Sequence, residues 1–263
     1  PGGKDSDLRT TFNQDAEWYQ RVRPGYPDAL FADMAALELV GAGVHVLEIG
    51  CGTGQATLPL ARLGCEIVAL DIGADLAAVA SRRLGAFSKV RVLVSSFEDW
   101  PLPAEPFDTL VSATAFHWID PRIRVQKSAD ALRPGGSLVI ISTHHVAGGT
   151  EDFWVEVQSC YERWDPTTEP GLRLPTSAAV LQGTEEIERS QRFASPIVRR
   201  YLWDVSYTTT EYLDLLLSYS GHRALEASQR NGLLKCIQDL IDRNHGGRVT
   251  KRYMTQLLVA RRL

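Results

Sequence analysis

The chain contains no apolar run approaching the ~20 residues that a membrane-spanning helix needs. It also has no large charge excess of either sign. Its 28 Lys and Arg stand against 32 Asp and Glu, a net charge of −4, with a pI near 5.9. No basic stripe is available for the phosphates of RNA or DNA or for an anionic bilayer, so nucleic acid and membrane are set aside as partners. Cysteine is sparse: Cys51, Cys65, Cys160 and Cys236 are scattered, and no two form a C-x-x-C pair. This spacing argues against a metal site or a disulfide framework and makes a reducing cytosol the default location. The opening PGGKDSD reads as a polar, frayed end and not as a signal peptide. Internal repeats and low-complexity tracts are missing too.

What remains is an ordinary globular composition, 44% hydrophobic and 23% charged over 263 residues. That suits one large domain, or a domain with a substantial insert. Residues 12–26 mix aromatic and charged side chains. Pro27 is suited to the first turn of a helix over PDALFADMAALELV, which Gly41 and Gly43 end. Strand and helix signals then alternate. HVLEIG, EIVALD, VRVLVSS, FDTLVSAT and SLVIIST read as strands, with helices over 55–63, 74–84 and 121–132 between them. Continuous apolar strands separated by helices predict a parallel sheet covered on both faces. The rhythm breaks over residues 144–198, too long for a plain loop, where helices with a covering role are expected. VRRYLWDVSYT and YMTQLLVARR read as two further strands, and Thr208 with Glu211 forms a possible capping box.

The stretch that points to a ligand is Gly50-Cys51-Gly52-Thr53-Gly54, between a strand and a helix. Glycines there let a ligand approach the backbone closely. A dinucleotide fingerprint, G-x-G-x-x-G, would need a glycine where Gln55 stands. The other reading is E-x-G-x-G-x-G, with Glu48 two residues before the first glycine. A carboxylate there would repel a pyrophosphate and could help hold an ammonium group. Asp71 ends the second strand, about 20 residues past the loop, where an acid accepts hydrogen bonds from ribose hydroxyls. That position fits either cofactor.

Several blocks in order, VLEIGCGTGQAT, VALDIG, FEDWPLPAEPFDTLVSATAFHWID and ALRPGGSLVI, resemble class I S-adenosylmethionine-dependent methyltransferases. The type 11 and trans-aconitate methyltransferase-like branch is the most similar group. The resemblance covers roughly residues 12–143 and the final strand. It implies a Rossmann-like, doubly wound, mostly parallel α/β sheet of seven strands, the last antiparallel, with a helical insert or lid after strand five. It divides the chain into an amino-terminal helical segment over the cofactor (1–43), a cofactor-binding core (44–143), an acceptor insert (144–198) and a carboxy-terminal part of the sheet with helices (199–263). S-adenosylmethionine is the implied cofactor and a small molecule the implied methyl acceptor. Glu48, Gly50, Gly52 and Gly54 would border its methionine part. Asp71 would hold the ribose and Ile72 pack on the adenine, with Ser96 and Phe97 at the adenine edge. Ala113 and Thr114 would lie near the sulfonium. YQRVRPGYP matches a block that folds over the cofactor, placing Tyr19 and Arg23 there.

His117 and Trp118 follow the fourth strand, at the edge of the sheet where open α/β folds bind ligands. His117 is a candidate general base, since histidine takes a proton near neutral pH; it could equally be a structural residue. His144 and His145, ending the fifth strand and read as facing one side of the sheet, are a second candidate pair. Trp118, His144, Trp154 and Tyr161 are candidate acceptor-pocket residues. Trp164 belongs with them, and all the insert aromatics could instead be core. Arg173, Arg192, Arg199 and Arg200 could pair with a carboxylate acceptor or be solvated. Enzymes of this class that methylate nucleobase amines carry an Asn- or Asp-Pro-Pro-aromatic motif after strand four. ATAFHW stands here, which disfavours that acceptor. The rival functions are an NAD(P)-dependent oxidoreductase and a non-catalytic S-adenosylmethionine-binding protein.

Overall fold

A computed structural model describes residues 16–263. The opening stretch read as frayed, and residues 12–15 of the aromatic and charged segment, lie outside the described residues. The chain begins there with helices α1 (Ala16–Val22) and α2 (Asp28–Ala36), the second entered through Pro27.

Seven strands form one sheet: β1 (His45–Ile49), β2 (Glu66–Asp71), β3 (Val90–Val94), β4 (Phe107–Ala113), β5 (Leu132–Gly149), β6 (Ile197–Thr208) and β7 (Arg248–Arg261), in the order β3-β2-β1-β4-β5-β7-β6. Strands β1 to β5 are parallel, and β7 runs antiparallel to both β5 and β6. Parallel neighbours need crossover connections. Helices α3 (Thr57–Arg62), α4 (Ala74–Arg83) and α5 (Arg124–Ala131) supply three of them. Alternation along β1 sends Val46 to the core under α2 and α3 and Leu47 to the core under α5. Both faces are covered, which is why these strands read as unbroken apolar runs.

The fifth strand is longer than its apolar stretch suggested. It continues past Thr143 to Gly149 because β7 pairs with it through His145 and again at Gly149. Helices α6 (Glu151–Glu156) and α7 (Gln158–Trp164) follow, then irregular chain, a 3-10 turn over Ser177–Ala179 and α8 (Glu185–Arg189). The capping box forms: Thr208 and Glu211 bond reciprocally at the start of α9 (Thr209–Leu217). Helices α10 (Ser220–Ala224) and α11 (Ala227–Asn244) complete the chain before β7. Phe153, Trp154, Tyr212, Leu233, Ile237 and Tyr253 make a third core, which binds the insert to the carboxy-terminal helices.

Cys160 and Cys236 form a disulfide between α7 and α11, across a separation of 76 residues. This corrects the expectation of a chain without disulfides. Packing brings the two Cα atoms to 5.7 Å, within bonding range, and no sequence spacing announces it. The bond also removes the ground on which a reducing cytosol was the default. Cys51 and Cys65 are free and buried. No described helix is long and apolar enough to cross a membrane.

Candidate active site

A cavity of about 440 Å³ lies over the carboxyl ends of β1, β2, β4 and β5, roofed by α1 and the segment between α9 and α10. Its floor at one end is the glycine loop. Gly50, Gly52 and Gly54 all have positive φ, at 71°, 55° and 83°. The three are not equivalent. A Cβ on Gly50 would sit 2.3 Å from the Ala115 Cβ, so that position needs glycine for packing. A Cβ on Gly52 would meet nothing closer than Gln55 Oε1 at 3.6 Å, and would project from the cavity wall. Gly54 does not line the cavity; it packs on Leu84 at the end of α4.

Two carboxylates flank this loop. Asp71 is buried, and its oxygens accept from the backbone N–H groups of Gly52 (2.7 Å) and Gly73 (2.8 Å). It thereby ties the loop to the end of β2 while still lining the cavity. A carboxylate has about four acceptor sites, of which these bonds use two. Glu48 is 1% exposed, and its Oε2 has no hydrogen-bond partner. Burial pushes its carboxyl up to about 7, with the Thr57 hydroxyl opposing the shift and the Asp71 charge adding to it. Ile72, a large apolar side chain left exposed, Leu76 and Phe97 form an apolar wall beside Asp71, with Glu98 at its edge. Ser96 does not reach the cavity. Its hydroxyl donates to Asp99 Oδ2 at 2.7 Å and accepts from the Asp99 N–H, closing a local turn.

The roof is held at both ends. Tyr19 packs with Leu76 and Val79 of α4, and Glu17 pairs with Arg82. Arg23 donates to the Ser218 carbonyl (2.9 Å), with its guanidinium 4.3 Å from the Tyr219 ring centroid. Tyr26 and Thr114 join their hydroxyls at 3.0 Å. Thr114 has φ 57°, a conformation a β-branched residue rarely takes, at the end of β4 next to Ala113. Backbone strain of this kind concentrates at functional sites. Ala113 and Thr114 both line the cavity.

Beyond Thr114 the character of the cavity changes. His117 and Trp118, in a 3-10 turn, form one side, and Thr143, His145, Tyr219 and Tyr253 form the other. The His117 imidazole is held below its ordinary value by partial burial and by the Arg124 charge, which keeps it neutral near pH 7. His144 and His145 do not face the same side. They are successive residues of a continuous strand, paired with Met254 and Tyr253. His145 therefore reaches the cavity, whereas His144 bonds Ser142 at 3.0 Å and does not line it. Trp154 and Tyr161 also lie outside the wall: both belong to the third core, with the Tyr161 hydroxyl 2.9 Å from His222 Nε2. Trp164 packs there on Gly232. None of the four candidate arginines lines the cavity. Arg192 pairs with Asp130 and Arg199 with Asp33; Arg200 bonds Gln256 and two carbonyls, and Arg173 the Leu172 carbonyl.

A methyltransferase domain model matches residues 47–140, the segment that carries the glycine loop, Asp71 and His117. Over these residues the chain is similar to a methyltransferase domain. An uncharacterized methyltransferase of Mycobacterium tuberculosis is 31% identical over 135 residues, 51% of this chain and 53% of that protein. One of Geobacillus kaustophilus is 33% identical over 142 residues, 50% and 65% of the two chains. The chain thus spans about half to two thirds of the length of these curated relatives. The solved structure of the YcgJ protein from Bacillus subtilis shares the fold, with a TM-score of 0.55 at 16% identity over 90% of this chain and 99% of that one.

The residues of the matched segment fit S-adenosylmethionine, the cofactor that the sequence resemblance implies. The buried, partnerless Glu48 oxygen is suited to an ammonium group, and the open side of Gly52 to close approach. The apolar wall of Ile72, Leu76 and Phe97 is suited to a purine. Reading the sequence missed Tyr26, Thr143, Tyr219 and Tyr253. The last two carried a signal, aromatics on the carboxy-terminal elements, but nothing local placed them at a site formed by β1 and β4.

Proposed function

We propose that the protein transfers the methyl group of S-adenosylmethionine to a small-molecule acceptor. The observation that carries this reading is the Glu48 carboxylate oxygen, buried without a partner beside the glycine loop, in a cavity that is also lined by Thr114, His117, Trp118, His145 and Tyr219. Bound there, the cofactor supplies an already activated methyl group, so most of the acceleration has to come from positioning. On this reading α1 covers the cofactor and its Arg23 clasp excludes water, while β5, β7 and the α9–α10 segment shape the acceptor chamber. The cavity walls would hold the acceptor O, N or C in line with the methyl–sulfur bond, which would break as the new bond to the methyl carbon forms and the sulfur charge is discharged. Where the acceptor has a high pKa, neutral His117 takes its proton.

Calorimetric titration with S-adenosylmethionine and with NAD(H) tests the cofactor. Binding of NAD(H) alone overturns the proposal in favour of an oxidoreductase. Release of S-adenosylhomocysteine with carboxylate, phenol, amine and acidic-carbon acceptors tests turnover. Its absence across the panel leaves a cofactor-binding protein. With an acceptor of high pKa, His117→Ala should lower turnover ~10²-fold or more, the usual worth of a general base. Undiminished turnover with cofactor binding intact removes His117 from that role.

A further inference from the structure

The acceptor chamber is backed by a lysine. Lys251, on β7, is 5% exposed, and its Nζ lies 5.2 Å from the Trp154 ring centroid, 5.7 Å from Tyr253, 5.8 Å from Tyr219 and 5.9 Å from Tyr212. Among the described residues it makes no ion pair and donates no hydrogen bond. Buried cations are ordinarily paired, because desolvating an isolated charge is costly; aromatic faces offset only part of that. A second donor in the same cage is unsatisfied: Trp154 Nε1 is buried with no acceptor.

The groups around Lys251 do not supply the missing anion. Arg23 adds a positive charge from the roof. His145 and His222 are driven to about 3 and about 4, first by burial and then by the Lys251 charge, so both are neutral. The hydroxyls of Tyr161, Tyr207, Tyr219 and Tyr253 bond to one another or to these imidazoles, with Tyr219 to His145 at 3.3 Å and Tyr207 to Tyr253 at 2.9 Å. The neighbouring carboxylates are turned to local turns. Asp165 accepts from Thr167, and Glu211 from Thr208. Lys251 itself is lowered to about 7 by burial and then by Arg23, as a cation without a counter-charge must be.

We propose that this end of the cavity is an anion subsite, so that the methyl acceptor carries a carboxylate or comparably acidic group, received by Arg23, Tyr219 and His145 on the wall with Lys251 behind them. The inference rests on the methyl-transfer reading above and names its substrate class. Lys251 is a positioning residue here: it acts through the rings of Tyr219 and Tyr253 that line the chamber.

The test uses the protein loaded with S-adenosylhomocysteine. Benzoate, cinnamate, salicylate and succinate are titrated, each beside its primary amide. At least one carboxylate should bind ten times more tightly than its amide. Lys251→Met should abolish that ratio, and Lys251→Arg, which keeps the charge, should retain it. Equal binding of every acid and amide, or a ratio unchanged in Lys251→Met, overturns the proposal. If Lys251→Met does not fold, the acid-to-amide ratio in the unmodified protein and in Lys251→Arg decides. S-adenosylmethionine affinity is measured alongside. Its absence sinks the methyl-transfer reading, whereas its presence with no acid preference sinks only the anion subsite.

Discussion

At one end of the cavity, Glu48 and Asp71 crowd a loop of glycines whose backbone is the surface a ligand meets. At the other, Arg23 and His145 stand among tyrosines, with Lys251 behind. The acidic end is built from neighbours in sequence: residues 48–52, 55, 56 and 70–72 supply its floor. The cationic end draws on five places in the chain: α1 and the residues that follow it, the turn after β4, β5, the α9–α10 segment and β7. The difference explains what could be read. A tight turn between a strand and a helix needs positive φ, positive φ selects glycine, and the pattern is written in consecutive letters. A wall assembled across more than a hundred residues leaves no such trace.

The contrast can be broken at the acidic end first. Gly52→Val should abolish S-adenosylmethionine binding, because the new side chain enters the cavity and a β-branched residue strains the backbone at φ 55°; a circular dichroism spectrum checks that the fold is retained. Measurable heat of binding in the folded variant would move the cofactor elsewhere. At the opposite end, replacing Cys160 and Cys236 by serine should cost ~2–4 kcal/mol of unfolding free energy in urea, the usual worth of a bridge closing a long loop. Cofactor affinity should be unchanged, since the bridge lies behind the acceptor chamber. Asp71→Ala should weaken the cofactor by ~1–3 kcal/mol, as losing a charged hydrogen-bond partner does. An unaltered affinity would leave Asp71 as a loop tether only.

The smallest effect is a pH dependence. With Glu48 raised from 4.5 to about 7, the ligand-free fold holds a proton that the unfolded chain would already have lost. Between those values the folded state binds more protons, so this group makes stability fall as pH rises through the window. An ammonium beside Glu48 favours its carboxylate. Cofactor affinity should therefore fall as pH drops from 8 to 6, by at most about tenfold per unit, and Glu48→Gln should flatten the profile. A wild-type profile already flat would take the ammonium away from Glu48.

Much of the fold was legible, and for the same local reason. The seven strands, the crossover helices and the Thr208–Glu211 capping box are each declared by residues within a few positions of one another. What escaped notice depends on partners far away. Ser96 was read toward an adenine and turns instead to Asp99. His144 and His145 were read as a pair, but β7 extends the strand through both and so sends them to opposite faces. Trp154 and Tyr161 could be read toward the acceptor or as core, and the carboxy-terminal helices claim them as core. Arg173, Arg192, Arg199 and Arg200 attracted attention as cations, while the arginine that lines the cavity, Arg23, was read only as a roof over the cofactor.

The Cys160–Cys236 bridge gives the acceptor chamber an asymmetry of motion. Its rear rests on α7 and α11, which are joined covalently. Its front is closed by Arg23 through non-covalent contacts, among them the bond to the Ser218 carbonyl and stacking on the Tyr219 ring. Thermal energy can undo the second fastening and not the first. On the proposed reading, the bridge holds the helices behind the acceptor end at a fixed spacing whatever the position of α1.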